Sequence, residues 1–122
     1  VLVKNEKLSN WLGEPLIIAT QEPDGTVKRV EADVAEVIKN LLRSRDPQTE
    51  QSFVVKSLDD ADNVRVIGMV LQEADSTLRI PFNEHKWLVA KAKEVGFRFM
   101  PNDISFVIEA LENVQKANVP VE

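Results

Sequence analysis

The sequence predicts an α+β domain, in which a small antiparallel sheet, made of a hairpin and one or two further short strands, packs with about four helices. Three observations predict this class. The turn residues Pro23-Asp24-Gly25 separate two apolar runs, several segments repeat apolar residues at helical spacing, and Leu78 and Ile80 alternate with Arg79. The chain has 122 residues, which suits one domain, so residues 1–122 are predicted to form a single unit.

The first predicted element is a β-hairpin over residues 15–31. Residues 16–18 (LII) form a short apolar run of the kind that favours a strand. Proline presets φ early in a turn and glycine allows positive φ, so residues 22–26 (EPDGT) are typical of a tight turn. The returning strand is predicted over residues 26–31.

A helix is predicted over residues 34–44. Asp33 precedes it and can accept hydrogen bonds from the free amides of the first turn. The apolar residues recur at i, i+3, i+4, i+7 and i+8, which is the spacing of one helical face: Val34, Val37, Ile38, Leu41 and Leu42.

Three more helices are predicted downstream, over residues 60–74, 84–95 and 103–116. The first of these contains Gly68, and glycine inside a helix often permits the close approach of another backbone. Gly96 is predicted to close the second of these helices, because glycine favours the left-handed conformation that ends many helices.

Three segments carry weaker signals. Residues 53–56 (FVVK) are consistent with either a short strand or a helical turn, and the pattern leaves both open. Residues 77–81 (TLRIP) alternate as a half-buried strand that proline ends. Residues 1–8 and 117–122 are predicted to be loosely ordered termini.

Composition excludes several classes of protein. The chain has no cysteine, so disulfides, thiolate metal sites and cysteine nucleophiles are absent. Its formal charge is −5, with 20 acidic and 15 basic residues, which disfavours direct binding of nucleic acid. No run of about 18 apolar residues could span a membrane. Residues 1–8 lack the apolar core of a signal peptide, so a cytoplasmic location is predicted.

No catalytic, cofactor-binding or metal-binding residue is predicted. His85 is the only histidine and cannot build a zinc site alone, so it is interpreted as an exposed residue of a first helical turn. The acids of residues 59–62 lack the later Gly and Glu of a calcium loop, and they are interpreted as helix-start acids that suit the helix dipole. The stem of Lys91 is expected to face inward with Trp87, and the charged ends of Lys91 and Lys93 are interpreted as a solvated helix face. No GxxxxGK[ST], GxGxxG or GxSxG motif occurs.

Two apolar stretches are candidates for contact with a protein partner. Trp11 and Leu12 precede the first predicted strand between polar residues, where a large apolar pair is expected to be exposed. Phe97, Phe99 and Met100 form an apolar stretch in a predicted loop. Core packing is the ordinary role of such side chains, and interface anchoring is the alternative.

Residues 10–16 (NWLGEPL) resemble the D-x-x-G-x-P-[IL] opening of many short phage-encoded proteins of unassigned activity, with Asn10 in place of the usual Asp. The resemblance extends as a pattern over most of the chain, through the polar turn, the helices, the short strand and the closing helix: Asp24-Gly25, 34–42, 64–71, Leu78-Arg79-Ile80 and 104–112. It implies a viral accessory or assembly role exerted through protein contacts, and it implies no catalytic residue.

The sequence therefore predicts a non-catalytic accessory protein that binds another protein and modulates a host or virion complex. Its location would be the host cytoplasm if it is viral. No cofactor, membrane or direct nucleic-acid partner is expected. The alternative is a structural or assembly subunit that works as a homo-oligomer. A third class, a small enzyme or metal-dependent factor, would have to use His85, Asp60 or Asp62.

Overall fold

The computed structural model describes residues 1–21, 23–46, 48–99 and 102–112. Its elements confirm the predicted α+β class. In chain order they are β1 (Leu2–Lys4), β2 (Ile17–Gln21), β3 (Val27–Glu31), α1 (Val34–Arg43), α2 (Leu58–Gln72), β4 (Thr77–Arg79), α3 (Phe82–Phe99) and α4 (Ile104–Glu112).

Within these ranges the strands form two separate antiparallel sheets of two strands each. The predicted hairpin is β2 paired with β3, where Ile18 lies opposite Val30. The strand predicted near Leu78 is β4, and it pairs with β1, where Val3 lies opposite Leu78. The short strand thus takes its partner from the beginning of the chain rather than from the hairpin.

Residues 1–8 carry more structure than the predicted loose terminus. Val3 is fully buried in β1, and the amide of Asn5 donates to the carbonyl of Ser76 at 3.0 Å. The Asn5 side chain also bonds in two directions, accepting from the amide of Ala35 and donating to the carbonyl of Asp75, both at 3.0 Å. These bonds tie the segment to α1 and to the start of β4. Residues 117–122 lie outside the described residues.

Helix α1 begins and ends close to its predicted bounds. The Asp33 carboxylate accepts a hydrogen bond from the amide of Glu36 at 2.9 Å, as expected of an N-cap. Most of the predicted apolar face is buried, and Leu42 packs at its margin.

Helix α2 begins earlier than predicted, because Ser57 caps it and accepts from the amide of Asp60 at 3.1 Å. The segment 53–56 before it forms neither strand nor helix. Val54 is nonetheless fully buried, and the Ser52 hydroxyl accepts from the amide of Val54 at 3.1 Å. The segment is an irregular connection with a bend at residues 53 and 54, and its Val54 side chain lies in the core.

Helix α3 continues beyond its predicted end. Gly96 was expected to stop the helix, but Val95 and Gly96 are both buried inside it, and tertiary packing outweighs the helix propensity of one glycine. Phe97 and Phe99 therefore lie in the last turn of α3, so their predicted placement in a loop is wrong. Met100 lies outside the described residues, as does the part of the predicted fourth helix after residue 112.

The core lies between the four helices and the β1–β4 sheet. Its largest fully buried side chains come from all of these elements: Ile38, Leu41, Ile67, Leu78, Ile80, Leu88 and Leu111. The β2–β3 hairpin contributes little to this core and projects from it. None of the helices that the structure describes is both long and apolar enough to cross a membrane.

Candidate protein-contact surface

A short loop of residues 9–15, here called the Trp11 loop, begins and ends at residues that backbone hydrogen bonds connect. Three buried residues at the base of this loop, Leu8, Leu16 and Ala32, exchange backbone hydrogen bonds. The amide of Leu8 donates to Ala32 at 2.9 Å, that of Leu16 donates to Leu8 at 2.9 Å, and that of Ala32 donates to Leu16 at 2.7 Å. Both ends of the loop are therefore attached to the core.

Asn10 organises the interior of the Trp11 loop. Its side-chain oxygen accepts from the amides of Leu12 at 2.9 Å and Glu14 at 3.0 Å. Its own amide donates to the carbonyl of Glu14 at 2.7 Å, which closes the loop. Gly13 adopts φ of +80°, a left-handed conformation that favours glycine. The carboxylate oxygen of an aspartate at position 10 could accept the same two hydrogen bonds.

The loop is also fixed to a distant element. The amide of Trp11 donates to the Asp103 carboxylate at 2.8 Å. Asp103 lies at the start of α4, where its carbonyl accepts from the amides of Phe106 and Val107. Asp103 thus joins the Trp11 loop to the beginning of α4 through this hydrogen bond.

This rigid loop presents its large apolar side chains to solvent. Trp11 and Leu12 are each 58% exposed. Glu14 is exposed beside them, and no side chain among the described residues pairs with its carboxylate. Tryptophan is enriched among the residues that dominate binding energy at protein interfaces.

The predicted contact residues belong to different parts of the chain. Trp11 and Leu12 lie together in the Trp11 loop, whereas Phe97 and Phe99 lie in α3 and Met100 lies outside the described residues. The contact role of all five stays a prediction.

The β2–β3 hairpin is a second exposed feature that follows directly from the loop. Ile17 and Val27 are exposed at its two strands, and only Ile18 and Val30 are half-buried among its described side chains. The turn is stabilised locally, because the Thr26 hydroxyl donates to the Asp24 carboxylate at 2.6 Å. This bond, with a further one from the Thr26 amide, lowers the pKa of Asp24.

A groove of about 400 Å³ separates α1 from α2. Apolar side chains and a glycine line it along both helices, and two cations and an amide complete it: Leu42, Val64, Gly68, Leu71, Lys39, Arg43 and Gln72. Lys39 pairs with Glu36 at 3.4 Å. Among the described residues, no acidic side chain pairs with Arg43. The groove is therefore apolar with a positive edge.

Gly68 keeps this groove open. A Cβ added there would meet no atom within 4 Å, so the expected close approach of another backbone is wrong. The α1 face was predictable from sequence, but the groove was not, because it depends on how α2 turns Gly68 towards α1.

Replacing Gly68 with alanine is expected to raise the free energy of unfolding by about 0.5–1 kcal/mol, since alanine favours the helix and clashes with nothing. Urea denaturation of both proteins measures the change. Gly25→Ala is the matched control, because it also has open space but adopts φ of +91°, so it should destabilise by about 1 kcal/mol. A destabilised Gly68→Ala protein would show that the groove is closed in solution.

A buried polar cluster joins α2 to α3. Asp60 accepts from the Trp87 indole at 2.8 Å and from the amide of Lys56 at 2.9 Å, and its carboxylate lies 3.5 Å from the Lys91 ammonium. Burial by itself raises the pKa of Asp60. The hydrogen bonds from Trp87 and Lys56 and the charge of Lys91 lower the pKa by more than burial raises it, so the net pKa is below its ordinary value.

Sequence reasoning missed this cluster. It interpreted Asp60 as an acid that favours the helix dipole and placed the charged end of Lys91 in solvent. The whole Lys91 side chain is only 13% exposed. The spacing of Trp87 and Lys91, one helical turn apart, places both on one face of α3. This spacing is visible in the sequence, but the sequence does not show that Asp60 of α2 lies against these two side chains.

His85 is half-buried rather than fully exposed. Its Nε2 lies 2.7 Å from the carbonyl oxygen of Leu111, and because a carbonyl oxygen only accepts, the ring nitrogen donates. The bond joins the first turn of α3 to the last described turn of α4. Throughout the described ranges, no three His, Asp or Glu side chains gather where they could hold a metal ion.

The fold and this surface define a small α+β domain that displays a rigid apolar loop. In comparisons with known proteins, no family model, no curated protein and no solved structure matches this chain significantly. The resemblance to phage-encoded proteins therefore stays a prediction.

Proposed function

We propose that this chain is a non-catalytic protein-binding module and that the Trp11 loop is its binding element. The observation that carries the proposal is the exposure of Trp11, at 58%, on a backbone that hydrogen bonds hold in place. Burying so large an apolar surface on a partner is favourable, and tryptophan is among the residues that most often dominate binding energy.

The order of the loop matters as much as its composition. A mobile tryptophan would lose conformational entropy when it binds, which opposes association. Here the Asn10 side chain and the Asp103 carboxylate hold the loop backbone before any partner arrives. The conformational cost of binding is therefore reduced, as in other preorganised recognition loops.

The wider biological role is proposed from the sequence. The resemblance to short phage-encoded proteins supports an accessory protein that modulates a host or virion complex. The absence of cysteine is consistent with a reducing compartment such as the cytoplasm. A role as an assembly subunit would use the same loop with a different partner, namely the chain itself.

Trp11→Ala is expected to weaken partner binding by about 2 kcal/mol, which is roughly thirtyfold. Tagged wild-type and variant chains would be used for capture from host lysate with quantitative mass spectrometry. The affinity of the captured partner would then be measured by calorimetry. Asn10→Ala should weaken binding less, because it loosens the loop and leaves the indole in place.

Phe82→Ala is the matched control for the capture, since Phe82 is an aromatic residue that is also largely exposed and belongs to α3. It should bind as the wild type does. Capture of the same proteins by the wild type and by Trp11→Ala, with none depleted, would contradict the proposal.

A further inference from the structure

We infer that the groove between α1 and α2 receives the Trp11 loop of a second copy of this chain. The inference rests on the proposed function, because it names the partner of the same loop. Its support is that loop and groove match in apolarity and in charge.

The apolar match comes from the half-buried side chains of the groove. Leu42, Val64 and Leu71 line it and remain partly open to solvent. The open space at Gly68 enlarges it. A volume of about 400 Å³ is near the lower end of pockets that enclose small ligands, and it suits one or two bulky side chains rather than a whole helix. The Trp11 loop offers two such side chains.

The charge match joins two groups that have no partner among the described residues. The Arg43 guanidinium lies at the edge of the groove, and the Glu14 carboxylate lies beside Trp11 and Leu12 in the loop. Arginine pairs well with carboxylates at interfaces, where both groups lose water. The groove edge is positive and the Trp11 loop carries one acidic side chain, so the two surfaces are complementary in charge.

Each copy carries one loop and one groove on different elements, because the loop is fixed to the start of α4 and the groove lies between α1 and α2. A single contact of this kind leads to rings or open chains, whereas two reciprocal contacts between the same two copies close a two-fold dimer. One loop in one groove is a small interface, and we expect dissociation constants in the micromolar range or weaker.

The test is a complementation experiment by sedimentation velocity, over roughly 1 µM to 1 mM protein. The wild type should form dimers or larger species as concentration rises. Trp11→Ala lacks the loop anchor but keeps the groove, whereas Gly68→Leu fills the groove but keeps the loop. Each variant alone should associate at least tenfold more weakly than the wild type, and an equal mixture should form a capped heterodimer and nothing larger.

A charge exchange provides a second arm that leaves the apolar lining of the groove unchanged. Glu14→Arg and Arg43→Glu should each weaken association at least tenfold, and the chain that carries both changes should recover it. Phe82→Ala is the control and should associate as the wild type does. Circular dichroism of every variant confirms that loss of association is not loss of folding.

Three results would overturn the inference: a wild type that stays monomeric throughout, variants that associate as the wild type does, or a mixture that forms no heterodimer. A monomeric chain whose capture of a foreign protein from lysate depends on Trp11 would overturn the inference and leave the proposed function in place. A monomeric chain with no capture that depends on Trp11 would overturn both.

Discussion

Asp60→Ala is expected to lower the free energy of unfolding by about 3 kcal/mol, because it breaks a buried polar cluster and leaves its partners unsatisfied. The Asp60 and Lys91 side chains are only 12% and 13% exposed. Without the carboxylate, the Trp87 indole and the Lys56 amide lose their acceptor, and the Lys91 ammonium keeps only its longer contact with Glu94, at 3.9 Å.

Chemical denaturation at neutral pH measures this loss. Asp60→Asn should cost less, about 1–2 kcal/mol, because it keeps an oxygen acceptor and loses the charge. Asp59→Ala is the matched control, since Asp59 is the exposed acid beside it in the first turn of α2, and it should change stability by about 0.5 kcal/mol at most. A loss below about 1 kcal/mol for Asp60→Ala would show that the cluster contributes little.

The same carboxylate should contribute to the acid sensitivity of the fold. Its folded pKa is below the unfolded value of about 3.9, so its stabilisation is complete above that value and is lost as the pH falls through the folded pKa. The free energy of unfolding of the wild type should therefore fall more steeply below about pH 4 than that of Asp60→Asn. Parallel pH profiles of the two proteins would contradict this assignment.

The elements that the sequence predicted well are those with local signals. The turn at Asp24-Gly25 lies between its two strands, and the cap at Asp33 lies directly before the apolar face of α1. In both cases the residues that determine the structure lie within a few positions of one another. The turn and the helix cap can therefore be predicted from the sequence alone.

The elements that the sequence did not predict depend on partners far along the chain. The bond from the Trp11 amide to Asp103 spans 92 positions, and the bond from Trp87 to Asp60 spans 27. Helix α3 passes a local stop signal at Gly96 because packing holds it there. The exposure of Trp11 could be predicted from its polar neighbours. The order of the Trp11 loop and the groove that Gly68 lines could not, because both depend on the tertiary structure.

The β1–β4 sheet shows this dependence most clearly, because Val3 lies opposite Leu78, which is far along the chain. Leu78→Ala is expected to lower the free energy of unfolding by about 3 kcal/mol, since Leu78 is fully buried and its removal leaves a cavity beside Val3. Urea denaturation measures the loss. Arg79→Ala, at the exposed neighbouring position of the same strand, should change stability by about 0.5 kcal/mol at most.

This substitution also tests whether residues 1–8 are part of the fold. If Val3 packs against Leu78, the cavity should loosen β1, and the amide of Asn5, which donates to Ser76, should exchange its hydrogen faster. Because Leu8 follows in the same segment and bonds to Ala32 at the base of the Trp11 loop, a loosened β1 should also disorder the loop. Partner binding by Leu78→Ala would then weaken even under conditions in which the protein is fully folded. Unchanged exchange at Asn5, together with a small loss of stability, would show that this terminus is loosely ordered, as its sequence suggests.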